Sequence, residues 1–230
     1  MEQTMAKRSK RYEAAVKKVD ASKKFTVAEA VGLLKSLEKA KFDESVEVVV
    51  KLGIDPKQSD QVVRGAVALP KGIGKAVRVV AFATGQKAED AKAAGADAVG
   101  GDDLVQKVTG GWTDFDVAVA APDMMRSVGK LGRILGPVGK MPSPKSGTVT
   151  ENIGQAVKEF KAGKIEFRTD TGGNVHALVG KLSFSPADLQ ANVEAFLSHI
   201  ISVKPASAKG TYLQKAVISA TMGPGIKLAV

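Results

Sequence analysis

The sequence predicts an α/β protein of two domains: a discontinuous α+β split sheet domain built from both ends of the chain, and a doubly wound domain inserted between them. Three observations carry this. In both outer thirds apolar and polar residues alternate, as in strands with one face toward water. In the middle, short apolar runs alternate with Ala-rich helical stretches, the texture of a parallel sheet with crossover helices. The length, 230 residues, lies between one and two domains. Breaks at Pro70, Gly72 and Gly74 and again at Gly163 set the expected boundaries. They give 1–71 with 161–230 for the outer domain and 72–160 for the inserted one. Two chain crossings at one junction make a natural hinge.

Residues 1–24 read as a basic arm running into a helix over Arg11–Val19. Thr26 and Glu29 have the spacing of a capping box, followed by the helical apolar stripe Ala30, Val31, Leu33, Leu34 and Leu37. Ser45–Leu52 then alternates with period two, Asp55-Pro56 turns, and Gln61–Leu69 reads as a second strand. In the middle, Val77–Ala83 is a buried strand followed by a helix over 88–95. A short helix over Leu104–Val108 and a strand over Phe115–Ala120 come next, with Pro122 suited to a first helical turn. Asn152–Lys161 is a helix stopped by Gly163. Lys164–Arg168 is again an alternating strand, and residues 169–174 form a hairpin-like turn into a strand over Val175–Phe184. Ser185 caps a strongly amphipathic helix that Pro205 terminates, and Tyr212–Thr221 is the last strand.

The formal charge is +10 with a pI near 9.7, a balance that points to a polyanion, usually nucleic acid. The charge is uneven. Met1–Lys24 and Arg126–Val149 each carry +5, residues 150–230 carry +3, residues 25–71 are neutral and residues 72–125 carry −3. Arg126–Val149 has five Lys/Arg, five Gly, three Pro and no acid. Gly and Pro argue against a long helix or a central strand, so the segment reads as an ordered cationic loop. A solvated linker is the alternative, and the apolar weight of Leu131, Ile134, Leu135, Val138 and Met141 speaks against it.

Other classes are excluded or disfavoured. With no cysteine there are no disulfides, no thiolate catalysis and no cysteine metal site, which suits a reducing compartment. No run approaches the ~18 apolar residues of a membrane span, and the N-terminus lacks a secretory apolar core. The expectation is a cytoplasmic protein with no membrane partner. A nucleotide-dependent enzyme using the middle domain is the alternative function. It lacks both a Walker-type phosphate loop and a dinucleotide glycine fingerprint. His176 and His199 are the two histidines and form no ligand set, and no nucleophile–base pair is legible. No catalytic residue, metal or cofactor is expected.

Aromatics make up only 5%, too few for stacking-based reading of single strands. What remains is recognition of folded RNA through phosphates, 2′-hydroxyls and shape. Candidate groups are Lys164, Glu166 and Arg168 on one strand face and Lys215, Ser219 and Thr221 on another. The turn Thr221-Met222-Gly223-Pro224-Gly225 adds exposed backbone and a soft apolar side chain. A general nucleic-acid chaperone, binding weakly and without regard to structure, is a third reading.

Four segments carry a resemblance: Lys130–Val149, Lys41–Asp55, Lys164–Gly180 and Ala220–Gly225. Together they resemble the bacterial type of the ribosomal protein L-one family, the large-subunit protein of the mobile stalk beside the tRNA exit site. The likeness covers essentially the whole chain. It implies an outer RNA-binding domain, split in sequence, and an inserted Rossmann-like domain without a nucleotide. It also implies binding to the large-subunit rRNA stalk among other large-subunit components, assistance in releasing deacylated exit-site tRNA, and repression of translation from its own operon mRNA. Carried over by motif, RNA contacts fall at Lys41, Phe42 and Ser45, at Lys164, Arg168 and Asp170, and at Thr221, Met222 and Gly223, with Pro224 beside them. Lys215 stands where the family can have a small hydroxyl residue, which exchanges a polar contact for a phosphate contact. Phe42 has a competing reading as a core residue. Glu44, Glu47 and Glu166 would repel RNA unless bonded to 2′-hydroxyls or paired with cations. Lys7, Arg8, Lys10 and Arg11 in the arm and Lys130, Arg133, Lys140 and Lys145 in the basic stretch form a possible secondary surface.

Overall fold

The computed structural model describes residues 8–230. In chain order the helices are α1 (Lys10–Lys18), α2 (Val27–Ser36), α3 (Gln86–Ala93), α4 (Asp102–Thr109), α5 (Met125–Val128), α6 (Gly132–Val138), α7 (Ile153–Ala162) and α8 (Pro186–Ser202). The strands are β1 (Ser45–Leu52), β2 (Arg64–Ala68), β3 (Val79–Phe82), β4 (Ala98–Gly100), β5 (Val117–Ala120), β6 (Lys164–Arg168), β7 (Asn174–Lys181), β8 (Leu213–Ala220) and β9 (Ile226–Leu228). The protein is a mixed α/β chain of two compact units, 8–63 with 168–230 and 64–167.

The first unit is a four-stranded antiparallel sheet in the order β7-β1-β8-β9, with helices on one face. Alternation in β1 sends Val46, Val48, Val50 and Leu52 inward, each at most 1% exposed, and Ser45, Glu47, Val49 and Lys51 to the other face. Val175 and Val179 of β7 and Ala216 and Ile218 of β8 complete the inner face. It packs on Ala30, Val31 and Leu34 of α2 and on Val193, Phe196 and Ile200 of α8. Both helices start where the sequence places them. Thr26 and Glu29 form a full capping box, and the Ser185 hydroxyl accepts from the Asp188 amide. Strand β9 was not legible, because three residues hold too little alternation to identify. It is fixed by its pairing with β8 and by a bridge between Phe25 and Leu228.

The second unit has a three-stranded parallel sheet in the order β4-β3-β5. Strand β3 is buried along its whole length, which explains its unbroken apolar run. Helices α3 and α7 pack together, α7 also touching β3 and β5, while α4 lies against β4. Strands β2 and β6 pair with each other in a separate two-stranded sheet. The compact units divide at 63/64 and 167/168, so the inserted unit extends beyond the 71/72 and 160/161 read from sequence breaks. Glycine and proline mark where strands end, not which sheet they join.

The first half of the basic stretch is helical, while residues 139–149 are mostly irregular. Residues 125–138 wind through α5, a 3-10 turn at Gly129–Leu131 and α6, and a second 3-10 turn follows at Pro144–Ser146. Val128, Leu131 and Leu135 are each at most 1% exposed at helical spacing, and that burial overrides the poor propensity of the glycines. Pro137 sits one residue before the helix ends, where it disturbs little.

Gly163 closes α7 at φ 112°, a conformation that favours glycine. A Cβ there would lie 2.4 Å from Gly72 Cα, so backbone meets backbone. Gly163→Ala is expected to lower unfolding stability by about 1–3 kcal/mol or more, measured by urea denaturation. A loss below ~0.5 kcal/mol would show that this closure is not tight.

Candidate RNA-binding surface

One end of the first unit's sheet is organised by a buried carboxylate. Glu44, just before β1, is 2% exposed. Its Oε1 accepts from the Ala40 amide at 2.6 Å and faces Arg11 Nη1 at 3.4 Å, and its Oε2 accepts from the Met222 amide at 2.9 Å. Burying a carboxylate is costly unless it is paired and hydrogen-bonded, and Glu44 is both. Arg11 of α1 also donates to the carbonyls of Glu38 at 3.3 Å and Met222 at 3.4 Å. One ion pair thus joins the first helix, the 38–44 loop and the turn after β8. The sequence leaves Glu44 repulsive to RNA unless it is hydrogen-bonded or paired with a cation, and sets Arg11 on a secondary basic surface; the cation pairing is what the structure has. Glu44 is buried, and Arg11 is half-buried against it.

Two large apolar side chains remain outside this clamp. Phe42 is 53% and Met222 52% exposed. The core reading of Phe42 does not hold, because β1 begins three residues later and takes its core side chains from Val46 onward. Lys41 is exposed beside it. Ser45 and Thr221 are joined three ways: the Ser45 amide donates to Thr221 Oγ1 at 3.0 Å, the Thr221 amide to the Ser45 carbonyl at 3.0 Å, and the Thr221 hydroxyl to that carbonyl at 3.3 Å. Lys181 Nζ donates to Ser45 Oγ at 2.8 Å. The turn is closed by Gly223 N donating to the Ala220 carbonyl at 3.0 Å, with Pro224 buried behind it.

From this end the helix-free face of the sheet continues as a hollow of about 330 Å³, lined by Ser45, Glu47, His176, Leu178, Ser219 and Thr221. Glu47 is paired with His176 Nδ1 at 3.0 Å, and His176 Nε2 lies 3.8 Å from Asp170. This supplies the partner that the sequence left open for Glu47. Asp170 holds the 170–174 turn through bonds from Asn174 Nδ2 and from the amides of Asn174 and Gly172. These bonds, the Asn174 side chain foremost, keep its carboxyl below the usual aspartate range.

The remaining candidates divide. Ser219 and Thr221 lie on this sheet, and so does exposed Lys215. Lys164 and Arg168 lie on β6, in the other sheet. Arg168 is exposed, and so is Glu166. Lys164 belongs to the second unit, bonds Glu159 at 2.8 Å, covers the Phe160 ring and has a side chain only 18% exposed. Of the secondary basic residues, Lys7 lies outside the described residues. Arg8 stacks on Tyr12, and Lys10 is exposed. Lys130, Arg133 and Lys145 are exposed on the second unit, while Lys140 donates to the Thr113 carbonyl at 2.9 Å and covers Phe115. No group of acids and histidines suited to a metal ion occurs among the described residues, and no helix there is long and apolar enough to cross a membrane.

Glu44→Ala leaves the Ala40 and Met222 amides and the Arg11 guanidinium without their acceptor. It is expected to lower stability by about 3–5 kcal/mol in chemical denaturation, the scale for breaking a buried pair. A loss under ~1 kcal/mol would mean that water replaces the carboxylate at no cost.

Residues 34–224 match the model of the ribosomal protein L1p/L10e family. The chain is 56% identical over 224 residues to large ribosomal subunit protein uL1 of Kosmotoga olearia, covering 97% of each. It is likewise 56% identical over 226 residues to the protein of that name from Clavibacter michiganensis subsp. michiganensis, covering 98% of this chain and 99% of the relative. Against the one from Pseudarthrobacter chlorophenolicus it is 54% identical over 224 residues, covering 97% of this chain and 95% of the relative. With a family match across most of its length and near-complete coverage of its relatives, the chain belongs to the ribosomal protein L1p/L10e family.

Proposed function

We propose that this protein is a structural component of the large ribosomal subunit that binds the rRNA stalk through the helix-free sheet face of its first unit. The observation that carries this is the exposed pair Phe42 and Met222, set beside the Glu44 clamp on a face lined with hydroxyls. An immobilised turn offers backbone and hydroxyl groups to RNA without paying ordering entropy on binding. Hydroxyls and main-chain groups suit 2′-hydroxyl and base-edge recognition, and the surrounding lysines suit phosphates.

In this reading Lys41, Phe42, Ser45, Ser219, Thr221, Met222, Gly223 and Pro224 form the centre of the contact. Asp170, Arg168 and Lys215 extend it, and Lys164 takes part by exchanging Glu159 for RNA. The first unit is the RNA-binding domain, and the second, with its parallel β4-β3-β5 sheet, is an inserted Rossmann-like domain that carries no nucleotide. The exposed cations Lys130, Arg133 and Lys145 give that domain a surface for RNA or tRNA in the assembled ribosome. Bound to the stalk among other large-subunit components in the cytoplasm, the protein assists release of deacylated tRNA from the exit site. It also represses its own operon mRNA by recognising a copy of the rRNA site there. The role is structural and involves no catalysis.

The test compares affinity for the stalk rRNA fragment with that for an unrelated hairpin of equal length. The expected result is a strong preference for the stalk, and a loss of about 1–3 kcal/mol on Met222→Ala, the scale of one specific contact. Equal affinity for the two RNAs would overturn the reading.

A further inference from the structure

The face that begins at Thr221 and Met222 ends, at the far side of the sheet, in a row of uncompensated positive charge. Along β1 the helix-free face carries Ser45, Glu47, Val49 and Lys51, and along β8 it carries Ser219, Val217 and Lys215. The register sets Lys51 directly opposite Lys215 and, on its other side, opposite Asn174 of β7. Like charges directly opposite one another destabilise an antiparallel pair, and here the third member of the row is neutral. Neither lysine forms an ion pair among the described residues. Lys51 Nζ donates to the Gly172 carbonyl, and Lys215 projects exposed. Beyond the row an open hollow of about 590 Å³, lined by Lys51, Gly53, Asp55, Lys209, Thr211 and Gln214, leaves room for a backbone to pass.

We propose that Lys51 and Lys215 together form a phosphate seat for the same RNA, so that the bound strand runs lengthwise along β1 and β8. This rests on the RNA-binding reading of the face. Lys51 lies six positions beyond Ser45, about 20 Å at the rise of an antiparallel strand. The two ends of the face are thus too far apart for one nucleotide to span. Met222 and Thr221 recognise the RNA at one end, and the lysine row fixes its direction at the other. An anion between the two ammonium groups also relieves the repulsion that the free protein carries.

The experiment measures binding of the full chain to the stalk rRNA fragment across a salt series, for the natural sequence, Lys51→Ala, Lys215→Ala and the double variant. Thermal unfolding of each free protein is recorded in parallel. Each single variant is expected to bind more weakly and to lower the slope of log K against log salt by about 0.7–0.9, with twice that in the double variant. The free Lys215→Ala variant, whose lysine makes no hydrogen bond or ion pair among the described residues, is expected to melt at or above the temperature of the natural sequence, whereas Lys51→Ala also loses the bond to the Gly172 carbonyl. Unchanged slopes, or weaker binding by Lys215→Ala accompanied by a lower melting temperature, would overturn the seat. If the natural sequence kept its preference for stalk RNA and Met222→Ala still weakened binding while the lysine slopes stayed unchanged, only this inference would fail. If the natural sequence showed no such preference, the RNA-binding reading itself would fail.

Discussion

A carboxylate with 2% of its surface in water is the constraint on which the working end of this protein depends. Glu44 has no apolar role at the edge of the core, and among the described residues its burial is sustained by two backbone amides and one guanidinium. Those three partners come from segments far apart in sequence: residue 11, residue 40 and residue 222. Each segment is short, and two of them are irregular. Without a common acceptor they would share no strong interaction, and the turn after β8 would be held mainly by the Ser45–Thr221 bonds. An ion pair at a surface contributes little, whereas one that is desolvated and fully bonded is expensive to break. Its value here is therefore geometric as much as energetic.

The sheet supplies what the clamp cannot. Helices α2 and α8 cover one face, so the apolar half of each strand is spent on the core and the other half is left toward water. That face is rigid, because its backbone is paired on both sides along β1 and β8. Acids on a surface meant for a polyanion are a difficulty only when they are unpaired. Glu47 is matched by His176, and Asp170 is consumed by its own turn. The charge that remains available on this sheet is then mostly positive, and it is concentrated at the two ends.

Much of the first unit was legible in the sequence. The Thr26–Glu29 capping box, the Ser185 cap, the alternation of Ser45–Leu52 and the stripe of α8 are local patterns that survive folding. Two kinds of feature were not. Sheet membership depends on pairing between distant segments, so the grouping of β2 with β6 could not be read from either strand alone. Residues 126–138 carry the glycine and proline content of a loop, but the spacing of Val128, Leu131 and Leu135 is helical and their burial decides the conformation. The site divides in the same way. Exposed members such as Met222 and Lys41 could be named from a motif. Glu44 and Arg11 take their importance from contacts between segments separated by 33 to 211 residues, which no local pattern reveals.

The most direct measurement is amide hydrogen exchange in the free protein, read at Ala40 and Met222. If the Glu44 carboxylate is the common anchor, both amides are slow in the natural sequence and both become fast together in Glu44→Ala, while the amides of β1 keep their protection. Exchange at Met222 as fast as in an unstructured turn, before any substitution, would contradict the account.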